Sequence, residues 1–232
     1  MFSIVLSDKV RYIRRDLYQD ISGKKMIDNI QWLGHGSFVI QSDPLIYINP
    51  WRITRKVFHP DVILIGHEHH QHFSIPDIEK LRGADTKIIG NSAIIEQLPE
   101  TILLRQWNTI NIGRASIKAV PAYSPHHPKH PIEAGGLGFI ISLNFYDIYY
   151  AGDTQIIPEM SHIQPDIAIL PIDANGTLSV EDAVEVVKMM RPRWVMPSNW
   201  GYPNEGATIH DAQRFQRLVG NFANVIIPEQ SN

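Results

Sequence analysis

The chain has 232 residues, 44% of them hydrophobic and 19% charged, with a formal net charge of −3 at pH 7 and no cysteine. That length accommodates one large domain with a substantial core, and the composition is that of a soluble globule rather than a disordered or membrane chain. The charge gives no electrostatic reason to expect nucleic acid, and without cysteine any metal must be held by histidine, carboxylate or amide groups.

Met1 to Leu6 is apolar for too few residues to act as a signal peptide and lacks a basic lead, and no stretch approaches a membrane span, so a cytoplasmic location is expected. Residues 8–21 read as an amphipathic helix with Val10, Ile13, Leu17 and Ile21 on one face and Lys9, Arg11, Arg14 and Arg15 on the other. Its narrow apolar stripe favours docking onto the domain over a membrane-surface role. Apolar runs at Ile30 to Leu33, Phe38 to Ile40 and Leu45 to Ile48, separated by turn residues, predict a β-meander. A second β-rich stretch covers Ile102 to Leu104, Ile117 to Val120, Gly138 to Leu143 and Ile148 to Tyr150, the last two joined as a hairpin through Asn144 to Asp147.

Two segments share one plan. Asp61 leads into a strand at Val62 to Ile65, then a loop, a helix from Ser74 to Leu81 closed by Gly83, and a strand at Lys87 to Ile89. Asp166 leads into a strand at Ile167 to Leu170, then the loop Pro171 to Leu178, a helix capped by Ser179, and a strand at Trp194 to Met196. Ser74-x-x-Asp77 and Ser179-x-x-Asp182 read as capping boxes, and Thr208-x-x-Asp211 opens a third helix ending near Gly220. The repeated strand, loop, helix and strand predict a duplicated α/β architecture, in which sites form outside the carboxyl ends of strands.

The loop of the first segment is His67-Glu68-His69-His70-Gln71-His72, four of the chain's eleven histidines within six residues. Neutral imidazole is the commonest protein ligand for zinc, and histidines at i and i+2 on extended backbone point the same way, so His67 and His69 can grip one ion. Asp153 and Asn199 also follow predicted strands, so one shared site is expected.

This histidine segment resembles the His-x-His-x-Asp-His signature of the metallo-β-lactamase superfamily, with Gln71 where that pattern has Asp. Leu33-Gly34-His35-Gly36-Ser37-Phe38 and Tyr47-Ile48-Asn49-Pro50-Trp51 resemble the opening of the branch holding ascorbate-6-phosphate lactonase and related metal-dependent hydrolases. Pro121 to Phe139 is similar to its third-ligand loop, Ala151-Gly152-Asp153-Thr154 to its Gly-Asp-Thr loop, and Pro197-Ser198-Asn199-Trp200-Gly201 to its Pro-x-His-x-Gly. The match runs from about residue 30 to residue 232. The resemblance implies a single domain with a four-layer αββα sandwich, two mixed β-sheets flanked by helices.

The resemblance assigns a first ion to His67, His69 and His130, leaving a fourth tetrahedral position for water. His126 and His127 compete with His130, which is preferred because His-Pro before a Gly-rich stretch matches the family. The second ion would be held at the positions of Gln71, His72, Asp153 and Asn199, where two strong ligands have become neutral amides, while Asn49 replaces an Asp expected to order the histidines. A single divalent ion is therefore expected, zinc first, with manganese or iron as alternatives. Asp153 and His72 are expected to ligate it or to move protons, and His35 to contact substrate or support the fold. Arg52, Arg55 and Lys56 are candidates for an anionic substrate group.

The expected activity is hydrolysis of a small ester, lactone or phosphoester by hydroxide on that ion. The alternative is a noncatalytic ligand-binding member with an impaired metal site, which Gln71, Asn49 and Asn199 support. The expected partner is a small, anionic substrate, with homo-oligomerisation open.

Overall fold

Alternation along the first strands sorts their apolar residues between two cores. The computed structural model describes residues 25–54, 59–202 and 204–229. The helix expected at 8–21, and the candidates Arg55 and Lys56, lie outside the described residues.

Six strands, β1 (Ile30–Gly34), β2 (Ser37–Ile40), β3 (Ile46–Ile48), β4 (Val62–Leu64), β5 (Lys87–Gly90) and β6 (Ile102–Leu103), lie side by side in sequence order. β1 to β3 pair antiparallel, as the expected meander requires, and β3 to β6 pair parallel. A second sheet holds β7 (Thr109–Ile112), β8 (Ala115–Pro121), β9 (Leu137–Leu143), β10 (Tyr146–Tyr150), β11 (Ile167–Pro171), β12 (Trp194–Ser198) and β13 (Asn224–Val225), again in sequence order. β7 to β10 pair antiparallel and β10 to β13 parallel, so both sheets are mixed.

Phe38, Ile40, Ile46, Ile48, Val62 and Leu64 share a core with residues of the second sheet such as Ile117, Phe139, Ile141, Ile148 and Ile169. The intervening Val39, Tyr47, Ile63 and Ile65 form another core with Ile78 and Leu81 of α1 (Ile75–Leu81) and Ile94 of α2 (Ser92–Gln97). Period-two backbone presents alternate side chains to opposite faces, so β4 is apolar throughout because both its faces are covered. Each such isoleucine or leucine contributes about 1.5–3 kcal/mol by burial. Against the second sheet pack α3 (Val180–Met190), through Ala183 and Val187, and α4 (Ile209–Val219), through Ala212 and Phe215. Among the described residues no helix is long and apolar enough to cross a membrane.

The local signals mostly hold. Ser179 and Asp182, and Thr208 and Asp211, form reciprocal caps at the starts of α3 and α4, and Gly220, with φ +54°, ends α4. The β9–β10 hairpin turns through Asn144 and Phe145 at φ +49° and +67°, the pair of positive values a two-residue turn needs.

Tertiary contacts correct the rest. Ser74 Oγ accepts from Asp77 N, but the Asp77 carboxylate does not return to the Ser74 amide; it accepts from Arg52 N at 2.8 Å and Ile53 N at 3.0 Å, fastening the loop after β3 to α1. Gly83 does not close α1, whose cap is Arg82; a Cβ on Gly83 would stand 3.0 Å from the His59 side chain. β6, expected with the second β-rich stretch, pairs with β5 in the first sheet. β7, β13 and α2 are additions, each too short or too exposed to leave a periodic apolar pattern.

Candidate metal centre

The parallel strands end on one side of the molecule, and the candidate residues stand in the loops that leave them. β4 runs through Ile65 and Gly66 into His67, and the turn from His69 to Phe73 returns the chain so that His72 N and Phe73 N both donate to His69 O. His67 and His69 do share a side, their rings 4.7 Å apart, although the backbone leaves extended conformation at Glu68. Gly66 is required by crowding: its carbonyl accepts from Leu137 N, and a Cβ would stand 2.8 Å from Leu137 O.

The second sheet supplies the remaining groups. His130 lies in the loop after β8, where Ser124 N donates to His130 O at 2.7 Å and Ser124 Oγ donates to Gly176 O. Asp153 follows β10 across Gly152, whose φ is +70°, and Asn199 follows β12 at φ +60°. The ligand atoms of His67, His69, His130 and Asp153 all lie within 4.8 Å of one another. The structure therefore brings His130 to the other two histidines, whereas His126 is exposed and His127 faces Gly176 and accepts from Lys129 N.

The electrostatics suit a cation. Asp153 Oδ2 lies 3.5 Å from His67 Nε2, 3.5 Å from His130 Nε2 and 3.3 Å from His72 Nε2. All three nitrogens are buried without a hydrogen-bond partner; a bound ion satisfies those of His67 and His130, while His72 stands outside the converging group of four. Burial holds His67 well below its ordinary value and His130 down to about 4, and lowers His69, so these rings offer neutral nitrogen at pH 7. Burial alone would raise Asp153, but His72, His67 and His130 around it keep it well below the usual carboxylate range. A donor set of three imidazoles and one carboxylate thus fits a zinc-like ion.

The amides occupy defined places. Asn49 Oδ1 accepts from Gly66 N at 2.8 Å, and its Nδ2 lies 2.9 Å from Tyr150 OH and 3.0 Å from His72 Nδ1. Asn199 Nδ2 donates to Asp153 Oδ1 at 2.8 Å. Gln71 is half-buried within the turn and lies outside the group of four. His35, 2% exposed and at φ +49°, accepts from Trp32 Nε1 and Asn199 N through its carbonyl, so its backbone supports the site. Its ring packs against Trp51 and His72, and burial pushes it down to about 3.

Two contributors left no mark in the sequence. Asp173, in the loop after β11, approaches Asn199 Nδ2 at 3.5 Å and accepts from Thr177 Oγ1; burial and the charge of Asp153 push it up to about 6. Lys129 lines the cleft over the centre with Glu68, Ala134 and Gly136. That cleft holds about 20 Å³, room for a water beside an ion rather than for a whole substrate. Arg52, by contrast, stacks over Trp51 and Tyr202 and pairs with Glu205.

Residues 29–199 match the family described as the Beta-lactamase superfamily domain. A UPF0173 metal-dependent hydrolase of Pyrococcus abyssi is 30% identical over 219 residues, covering 85% of this chain and 95% of its own length. A crystal structure from Parabacteroides distasonis superposes with a TM-score of 0.75 at 28% identity, covering 86% of this chain and 92% of that one. A metallo-β-lactamase fold protein of Bacillus subtilis gives a TM-score of 0.66 at 15% identity, covering 85% and 96%, a likeness of fold.

Proposed function

The chain belongs to the metallo-β-lactamase superfamily, and on that premise we propose that it is a metal-dependent hydrolase that cleaves a small ester, lactone or phosphoester with one bound ion. The observation that carries this reading is the convergence of His67, His69, His130 and Asp153, drawn from both sheets, to within 4.8 Å. The three histidines would hold the ion, with the Asp153 carboxylate beside it. When bound, the ion supplies a Lewis acid for the scissile oxygen and a water acidic enough to lose its proton near pH 7.

The protein groups have separable tasks. Asp153, ionised at neutral pH, accepts the proton given up by the attacking water. His72, beside its Oδ2, keeps the carboxylate oriented. Lys129 at the rim attracts a negatively charged substrate, a role better suited to it than to the paired Arg52. Ala122, Pro131 and Ala134 line the same cleft with apolar surface.

Metal analysis of the purified protein, combined with a panel of nitrophenyl phosphodiesters, esters and simple lactones, tests this. About one transition ion per chain with hydrolysis of one class is expected. One ion without hydrolysis of any class would favour the noncatalytic ligand-binding alternative, and two tightly held ions would overturn the single-ion reading.

A further inference from the structure

The two ring nitrogens of His72 are not equivalent, and fixed backbone groups determine which one carries the proton. Gly66 N is a donor and nothing else, so the Asn49 atom 2.8 Å from it is the amide oxygen. The amide nitrogen is thereby set at the other end, 2.9 Å from Tyr150 OH and 3.0 Å from His72 Nδ1. Tyr150 donates its own proton to Gly36 O at 2.8 Å, so its oxygen accepts from Asn49. The second Asn49 proton meets His72 Nδ1, which must be the bare nitrogen. A neutral His72 then carries its proton on Nε2.

That N–H faces Asp153 Oδ2 at 3.3 Å, without the alignment of a hydrogen bond. The other carboxylate oxygen, Oδ1, receives Asn199 Nδ2 at 2.8 Å. Protein N–H groups thus approach Asp153 on both oxygens. His72 is 0% exposed, and a Cβ on Gly36 would stand 2.5 Å from its Cε1, so the ring has little room to turn over. An aspartate at position 49 would have the opposite effect. A carboxylate only accepts, so it would draw the proton to Nδ1 and leave an Nε2 lone pair for a cation.

Resting on the single-ion reading above, we propose that Asn49 is a positioning residue that fixes His72 as its Nε2–H tautomer, so that His72 and Asn199 present N–H groups to Asp153 where a second cation would need lone pairs. The substitutions at 49 and 199 are then one change in two places, and His72 orients Asp153 instead of ligating. Changing Gln71 and Asn199 to ligands does not by itself restore a second site, because the His72 lone pair remains turned toward Asn49.

Long-range 1H–15N spectra of 15N-histidine-labelled protein carrying one equivalent of zinc read the tautomer, and native mass spectrometry in excess zinc counts the ions. Wild type is expected to show His72 protonated at Nε2, and Asn49→Asp to move the proton to Nδ1. A wild-type His72 protonated at Nδ1 overturns the proposal, and this arm needs no variant to fold. The pair Gln71→Asp with Asn199→His is expected to bind a second zinc at least about tenfold more weakly than the same pair with Asn49→Asp added. Equal second-zinc affinity in the two overturns the proposal. Two zinc ions in wild type with His72 still protonated at Nε2 would instead overturn the single-ion reading and leave the tautomer standing.

Discussion

The indole rings of Trp32 and Trp200 lie 4.2 Å apart and 12° from parallel, one at the end of the first sheet and the other just beyond the second. Trp32 also donates through Nε1 to His35 O, and His35 O accepts from Asn199 N, so the stack sets the height of both loops. Trp32→Ala removes a large buried side chain and this donor together. A loss of about 3–5 kcal/mol is expected in urea unfolding, with weaker zinc binding by the folded fraction. Unchanged zinc affinity would separate the stack from the site.

Removing a ligand and removing a neighbouring loop histidine are expected to differ sharply. His67→Ala takes one of the four converging groups and is expected to lower zinc affinity more than about a hundredfold, judged against the 10–100-fold cost of losing a mere supporting contact. His126→Ala alters an exposed ring and is expected to leave affinity unchanged, as measured by competition with a chelating dye. The reverse pattern would place the third histidine wrongly.

The metal-free protein is expected to lose stability as the solution is acidified from pH 7 to pH 5. Burial pushes His35 down to about 3 and His130 to about 4, while in the unfolded chain each takes up a proton near 6.5. Between about pH 6.5 and pH 4 the unfolded chain binds more protons, so the stabilisation is complete above that window and is lost as pH falls through it. Each of the two costs about 2 kcal/mol by pH 5. The lowered His67 and His69 act in the same direction. Asp173, raised to about 6, acts in the opposite sense, since below that value the fold keeps a proton that the unfolded chain releases. A Tm at pH 5 equal to or above that at pH 7, by scanning calorimetry, would contradict the sum.

Asp77 and Asp182 stand at the same position of two helices and do different work. Asp182 closes a local cap, and Asp182→Ala is expected to cost about 1 kcal/mol. The buried Asp77 accepts from the amides of Arg52 and Ile53, which its removal leaves unpaired, so Asp77→Ala is expected to cost about 2–3 kcal/mol more in thermal unfolding. Equal losses would mean that solvent replaces the carboxylate at the loop.

What the sequence made legible follows from the range of each interaction. The strands around Val62 and Ile167, the caps at Ser179 and Thr208 and the histidine run are local patterns, and they stand where expected. His130 could be preferred over His126 and His127 only through motif order, since all three sit in one Pro-rich loop. Asp77 and Gly83 were misread because their partners, residues 52–53 and His59, are remote in sequence. Asp173 was missed because Asp-Ala-Asn-Gly-Thr reads as any turn until folding sets it against Asn199. The direction of the Asn49 amide was equally hidden, depending on Gly66 and Tyr150 together.

Each sheet is made from one uninterrupted half of the chain, strands from Ile30 to Leu103 in the first and from Thr109 to Val225 in the second. During synthesis the first half can therefore pair its strands while the second is still being made. His67 and His69 emerge with it, but His130, Asp153 and the Asn199 that holds Asp153 arrive later. Until His130 emerges, a nascent chain can offer an ion at most a loose two-point grip from this group. Selection of the metal is consequently a late event in folding, and a ribosome-bound fragment ending before residue 130 would have only that two-point grip with which to discriminate among ions.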